Sequence, residues 1–219
     1  MLEFNVDTEH PVTIPCEDVH LDGLLHIPKN VKGIVLFVHG SGSSRFSTRN
    51  QHVAKVLQQG KMATLLFDLL TPDEEAVDVK TASFRFDINF LANRLDAATQ
   101  WVLYNPVLRK LPIGYFGAST GGGAALVTAA RQAHLIKAVV SRGGRPDMAG
   151  ESLSYVKAPT LLIVGGLDGT VIDLNQEAFR QLACTKELKI IPGASHLFEE
   201  PGKLDEVARL AAAWFDKYL

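Results

Sequence analysis

Five stretches of this chain are apolar at nearly every position instead of at alternate ones. They are "GIVLFVHG" (33–40), "MATLLFDLL" (62–70), "IGYFGAS" (113–119), "IKAVVSRGG" (136–144) and "APTLLIVGG" (158–166), with a weaker sixth in "KELKIIPGA" (186–194). Continuous apolar runs of this length suit strands buried on both faces of a parallel sheet. Ahead of them, "VTIPCED" (12–18) and "HLDGLLHIP" (20–28) read as two short strands, a hairpin turning near Glu17 and Asp18. The segments between the runs carry helical spacing. "NQHVAKVLQQG" ends on Gly60, a plausible helix stop. "FDINFLANRLDAATQWVLYN" sets Ile88, Leu91, Leu95, Ala98 and Val102 on one face and stops before Pro106. "GGGAALVTAARQ", "DLNQEAFRQLA" and "KLDEVARLAAAWFDKYL" complete the set.

Strand and helix alternate with short links. This predicts an α/β fold with a mostly parallel, doubly wound sheet of about eight strands flanked by helices. The chain is read as one domain, 1–219, with no repeat and no insertion large enough for a lid domain. The longest connection, "TPDEEAVDVKTAS" (71–83), is acidic and follows a strand end, so it is expected as a loop at the sheet edge where such folds keep their sites. It reads either as a mobile rim to a site or as a plain solvated linker.

Composition narrows the partners. The net charge is -2 and no run of Lys and Arg occurs, so neither nucleic acid nor an anionic membrane is expected as a partner. A small molecule is expected instead, and a homodimer is left open. The first residues, "MLEFNVDTEHPVT", do not read as a secretory signal, and no apolar stretch is long enough for a membrane span. Two cysteines far apart, Cys16 and Cys184, read as free thiols in a reducing compartment, with the cytoplasm as the expected location. They are too few for a cysteine metal site, and no metal or cofactor is expected.

The chemistry gathers at strand ends. G-x-S-x-G falls on Gly117 to Gly121, between a buried strand and an Ala-rich helix. In that context the pattern reads as a nucleophile elbow, a turn so tight that Ser119 takes an unfavourable backbone conformation and lifts its hydroxyl to a helix N-terminus. The blander reading is a Gly-rich turn. A serine needs a base, and a base needs orienting. His196 follows the last strand and Asp168 the one before it, giving the chain order Ser119, Asp168, His196 of the α/β-hydrolases. Asp173 is the nearest competitor as the acid. "HGSGSS" after the third strand supplies an oxyanion loop, with the N–H of Ser41 joining that of Thr120. A phosphate loop is the competing reading of this stretch, but neither G-x-x-x-x-G-K-[ST] nor G-x-G-x-x-G occurs.

Taken in order, "HGSGSS", "GASTG", "GGLD" and "GASHLFEEPG" resemble a lidless α/β-hydrolase of the dienelactone hydrolase-like group, and the resemblance covers nearly the whole chain. It implies hydrolase activity with Ser119 as nucleophile, His196 as base and Asp168 as orienter. Dienelactone hydrolase proper has cysteine where this chain has Ser119, which favours serine-esterase chemistry on a carboxylic ester or thioester. The stretches around Ser119 and "VVSRGGRPDMAG" are also similar to hydrolase domains fused to phosphoribosyltransferases in some bacteria, which implies no particular substrate. The alternatives are a catalytically silent scaffold and a lactone hydrolase with serine replacing cysteine.

Three arginines near the site, Arg45, Arg142 and Arg145, are candidates for binding a substrate carboxylate or phosphate. Arg142 and Arg145 read equally as partners for the acids at 73–78. Asp68 reads as a buttress for a neighbouring loop, and Glu199 and Glu200 as the start of the last helix or as solvated charges.

Overall fold

The computed structural model describes residues 4–219; the first three residues of the N-terminal segment lie outside the described part. Eight strands run in chain order as β1 (Glu9–Cys16), β2 (Val19–His26), β3 (Gly33–Val38), β4 (Met62–Phe67), β5 (Ile113–Ala118), β6 (Ile136–Arg142), β7 (Thr160–Gly165) and β8 (Lys186–Ile191). They form one sheet in the order β1-β2-β4-β3-β5-β6-β7-β8. β1 and β2 pair antiparallel, as do β2 and β4, and every pairing from β4 onward through β3 to β8 is parallel. The predicted hairpin turns at Glu17, whose φ is 50°.

Every residue of β3, β4, β5 and β7 is buried, as the unbroken apolar runs require. Within each run alternate residues serve opposite cores. Ile34, Leu36 and Val38 face one layer while Val35 and Phe37 face the other. The first layer holds α3 (Ile88–Tyr104), α4 (Thr120–Arg131) and α5 (Gly169–Gln181); the second holds α1 (Thr48–Gln59) and α6 (Lys203–Tyr218). The apolar face expected of α3 is buried throughout, from Ile88 to Val102. β8 at the sheet edge is only partly covered, which explains its weaker apolar pattern.

One expectation of the fold needs correcting. The 71–83 connection is a helix, α2 (Pro72–Thr81), and not a loop. Thr71 and Glu74 form a reciprocal capping box and Pro72 occupies the first turn, so local chemistry starts a helix that acidic composition had masked. It is pinned: Glu74 pairs with Arg94 of α3, and the buried Asp78 accepts from the backbone N–H of Phe84 and Arg85. The expected helix stop is in place: Gly60 caps α1, its N–H donating to the Val56 carbonyl at 3.2 Å, and Lys61 follows at φ 68°. Residues Pro146–Tyr155 form a 3-10 stretch kinked at Gly150.

Candidate active site

Ser119 lies between β5 and α4 with φ 51° and ψ -124°, a region that non-glycine residues enter only at a cost. The glycines around it explain how the turn closes. A Cβ at Gly117 would lie 2.6 Å from the Gly121 carbonyl oxygen, and one at Gly121 would overlap the carbonyls of Val38 and His39. Strand, elbow and helix therefore pass one another at backbone distance. The Ser119 N–H donates to the Arg142 carbonyl at 3.2 Å, and its own carbonyl accepts from the Gly122 and Arg145 N–H groups. Serine at a helix N-cap ordinarily spends its hydroxyl on the first turn. Here the hydroxyl makes no such bond and stays available at the positive end of α4.

His196 and Asp168 come together across 28 residues, with Nδ1 and Oδ2 2.6 Å apart. A carboxylate accepts, so the proton sits on Nδ1 and Nε2 is left with its lone pair. The Asp168 carboxylate is 16% exposed and the imidazole 38%. Gly143, just past β6, packs on the imidazole: a Cβ there would be 3.5 Å from Nδ1. The β6 end thus touches both Ser119 and His196. Asp173 is exposed on α5, and Asp168 is the carboxylate bonded to His196.

Glu200 was expected to face water or open the last helix. Its two carboxylate oxygens instead accept the Ser195 N–H at 3.1 and 3.0 Å and tie down the loop carrying His196. Those bonds hold the Glu200 carboxyl below its ordinary pKa.

The loop expected to supply the oxyanion donors meets the elbow directly. The Ser41 and Thr120 hydroxyls are 3.2 Å apart, and Gly40 abuts Ser119 so closely that a Cβ would lie 2.9 Å from the serine Cβ. Thr120 opens α4, so its N–H is one of the four a helix leaves without an internal partner. His39 anchors the loop from below. Its Nε2 accepts from the Leu69 N–H at 3.0 Å and its Nδ1–H donates to the Gly40 carbonyl at 2.9 Å. Burial lowers its pKa and keeps it neutral. A cavity of about 470 Å³ opens beside this loop, lined by His39, Ser43, Phe46, Asp68, Pro72 and Glu75.

The three arginines part company. Arg45 is bound to Asp68 through both its backbone N–H and its guanidinium, and Asp22 lies 3.3 Å away. Arg145 forms a two-pronged pair with Asp147 at 2.9 and 2.8 Å. Of the acids at 73–78, Glu74 pairs with Arg94 and Asp78 with Arg85, and none is paired with Arg142 or Arg145 among the described residues. Arg142 has no carboxylate partner among the described residues. Neither is any group of three or more His, Cys, Asp or Glu among them placed to hold a metal ion. No described helix is long and apolar enough to cross a membrane.

Comparison with known proteins follows the same lines. Residues 21–217 match the model of a family described as "Dienelactone hydrolase family". A solved structure of dienelactone hydrolase from Anabaena variabilis is 58% identical, with a TM-score of 0.95 over 97% of this chain and 98% of that one. The esterase Est1E from Butyrivibrio proteoclasticus shares the fold at 16% identity, with a TM-score of 0.79 over 94% of this chain and 98% of that one. Curated relatives in two strains of Mycobacterium tuberculosis, provisionally named phosphoribosyl transferases, are 53% identical over 211 residues. That is 96% of this chain but 47% of theirs, so the chain spans about half the length of the curated relatives it matches.

Proposed function

Because the chain belongs to the dienelactone hydrolase family, we propose that it is a serine hydrolase cleaving a carboxylic ester or thioester. In this reading the Ser119 hydroxyl attacks the carbonyl carbon while His196 Nε2 takes its proton. Asp168 holds the imidazole in that tautomer and stabilises the imidazolium that forms. The oxyanion is met by the N–H groups of Ser41 and Thr120, and the positive end of α4 adds to their effect. The imidazolium returns the proton to the leaving alcohol or thiol. Water then attacks the acyl-enzyme by the same route and frees Ser119.

The observation that carries the proposal is the strained Ser119 backbone, φ 51° and ψ -124°, with a hydroxyl that caps nothing. A mere Gly-rich turn would relieve this strain by using glycine there too. A lactone is one ester the site would open, a reading favoured by the dienelactone hydrolase name of the 58% identical structure. The transferase name stays with the longer relatives. Free Cys16 and Cys184 fit a reducing compartment such as the cytoplasm.

A fluorophosphonate probe tests the reading. An activated Ser119 gains a stable adduct, and Ser119→Ala abolishes both the adduct and the hydrolysis of p-nitrophenyl esters. An unlabelled wild-type protein would instead mark a silent scaffold.

A further inference from the structure

The turn that follows β6 touches both the nucleophile and the base of the proposed site. The Arg142 carbonyl accepts the Ser119 N–H at 3.2 Å, and the Arg145 N–H donates to the Ser119 carbonyl at 3.0 Å. Between them Gly143 lies against His196, where a Cβ would be 3.5 Å from Nδ1 and 3.2 Å from the His196 carbonyl oxygen. Residues 142–145 therefore set the backbone of Ser119 against the ring of His196.

Their own sequence cannot hold that arrangement. Gly143 takes φ 51°, and Gly144 runs so close to β6 that a Cβ there would overlap Ser141 Oγ. Both positions exclude larger residues, and adjacent glycines carry the greatest backbone freedom a chain can have. The turn must be held from outside. The Gly143 N–H donates to the Ile163 carbonyl of β7 at 2.7 Å. Asn175 of α5 adds a second tie, its Nδ2 donating to the Gly144 carbonyl at 3.0 Å. Among the described residues no other side chain bonds to the backbone of 142–145.

Asn175 is fully buried. Its two partners, the Gly144 and Val171 carbonyls, both accept, so the amide nitrogen faces them. The amide oxygen, Oδ1, is left with no partner among the described residues. A buried acceptor without a donor is costly, and a leucine would fill a similar volume without one. The Val171 bond does little to offset this, because that carbonyl, four residues back, already accepts the helix's own N–H. The Gly144 bond is what remains to explain an asparagine here.

Position supplies the purpose. Asp168 is the N-cap of α5, yet its carboxylate bonds to His196 and not to the first turn of the helix. Asn175 stands about two helical turns further on, on the same side of α5. We infer that Asn175 is a positioning residue. Its bond to the Gly144 carbonyl ties the helix that carries Asp168 to the turn that spans Ser119 and His196, and so keeps all three in register. This rests on the serine-hydrolase reading above.

Asn175→Ser separates the two bonds, since a helical serine bonds back to the carbonyl four residues earlier and does not extend to Gly144. The substrate is p-nitrophenyl butyrate, with kcat taken per site titrated by fluorophosphonate. The variant's kcat is expected to fall about 10- to 100-fold, as a small misplacement of reacting groups does. KM should stay within about twofold of wild type, because ground-state binding is untouched. Asn175→Ala is expected to show the same split. Wild-type kcat in a folded variant of either kind overturns the inference, and so does a change confined to KM.

Amide hydrogen exchange reads the turn directly, and in the wild type it needs no variant to fold. The Gly143 and Arg145 N–H groups, bonded to Ile163 and Ser119, are expected to exchange only through global unfolding. Exchange at the rate of a free loop would show a turn that nothing holds, and would overturn the inference. In Asn175→Ser these two amides are expected to lose protection while those of β5 keep theirs. A protein that fluorophosphonate labels, with kcat and exchange unchanged by the substitution, loses the positioning role and keeps the hydrolase. One that resists labelling, yet frees the two amides when Asn175 is replaced, loses the hydrolase and keeps the tie between α5 and the turn.

Discussion

Around Ser119 nearly every neighbour is main chain: Gly40 at its side chain, the Arg142 carbonyl on its N–H, and Gly117 and Gly121 where strand and helix cross. Around His196 the restraints are largely side chains, with the Asp168 carboxylate on its ring and the Glu200 carboxylate on the preceding N–H. The first arrangement is steric and has no slack, since backbone cannot change rotamer. The second is polar and exchangeable, and it depends on ionised groups. In the proposed mechanism the hydroxyl needs only to be aimed, whereas the imidazole must be aimed and must also change charge during turnover. The two halves of the site divide along that line.

Breaking the polar half without touching the steric half is expected to have the largest effect. Asp168→Asn leaves shape intact but favours the wrong His196 tautomer, and turnover of p-nitrophenyl esters should fall by about 10⁴. Equilibrium unfolding of the same variant should match wild type far better than its kinetics do. A loss below tenfold would mean that the Asp168 contact is structural only.

The converse break comes next. Gly121→Ala forces a Cβ into the Val38 carbonyl and should destabilise the fold by more than about 3 kcal/mol, read from urea unfolding. Normal stability there would show that the elbow has slack after all. Strain gives a subtler measure. Ser119→Ala and Ser119→Gly both lack the hydroxyl, but only glycine relaxes at φ 51°. Ser119→Gly should be the more stable by about 1 kcal/mol, roughly 2–4 °C in melting temperature.

The smallest expected effect tests whether the polar half is ionic. The Glu200 carboxyl has a lowered pKa in the fold because it accepts from Ser195. Its contribution is therefore complete above the ordinary glutamate value of about 4.3 and disappears as pH falls through the lower folded value. Glu200→Gln should melt below wild type at pH 6, and the gap should narrow as pH falls below the ordinary glutamate value. A gap independent of pH would assign Glu200 a packing role.

Much of this was legible along the chain because it is local. Parallel strands buried on both faces must be apolar throughout, so β3 to β7 announce themselves. The elbow needs small residues on either side of Ser119, and they are adjacent in sequence. Helix α2 was legible too, through Thr71 and Glu74, but its acidic composition outweighed the capping signal. Glu200 lay hidden because its partner is a backbone N–H, which no residue letter reveals.

What the sequence by itself determined is the order of elements, the strand-end positions of Ser119, Asp168 and His196, and the family to which such an order belongs. Only the tertiary structure decided which charges are neutralised. Arg145 finds Asp147 two residues away and Arg45 finds Asp68 across the sheet edge, while Arg142 is carried by β6 to the Phe198 ring and has no carboxylate partner among the described residues. Periodicity is a property of neighbours in the chain, and so it can be read from them. Electrostatic pairing depends on distance in space, and folding alone sets that distance.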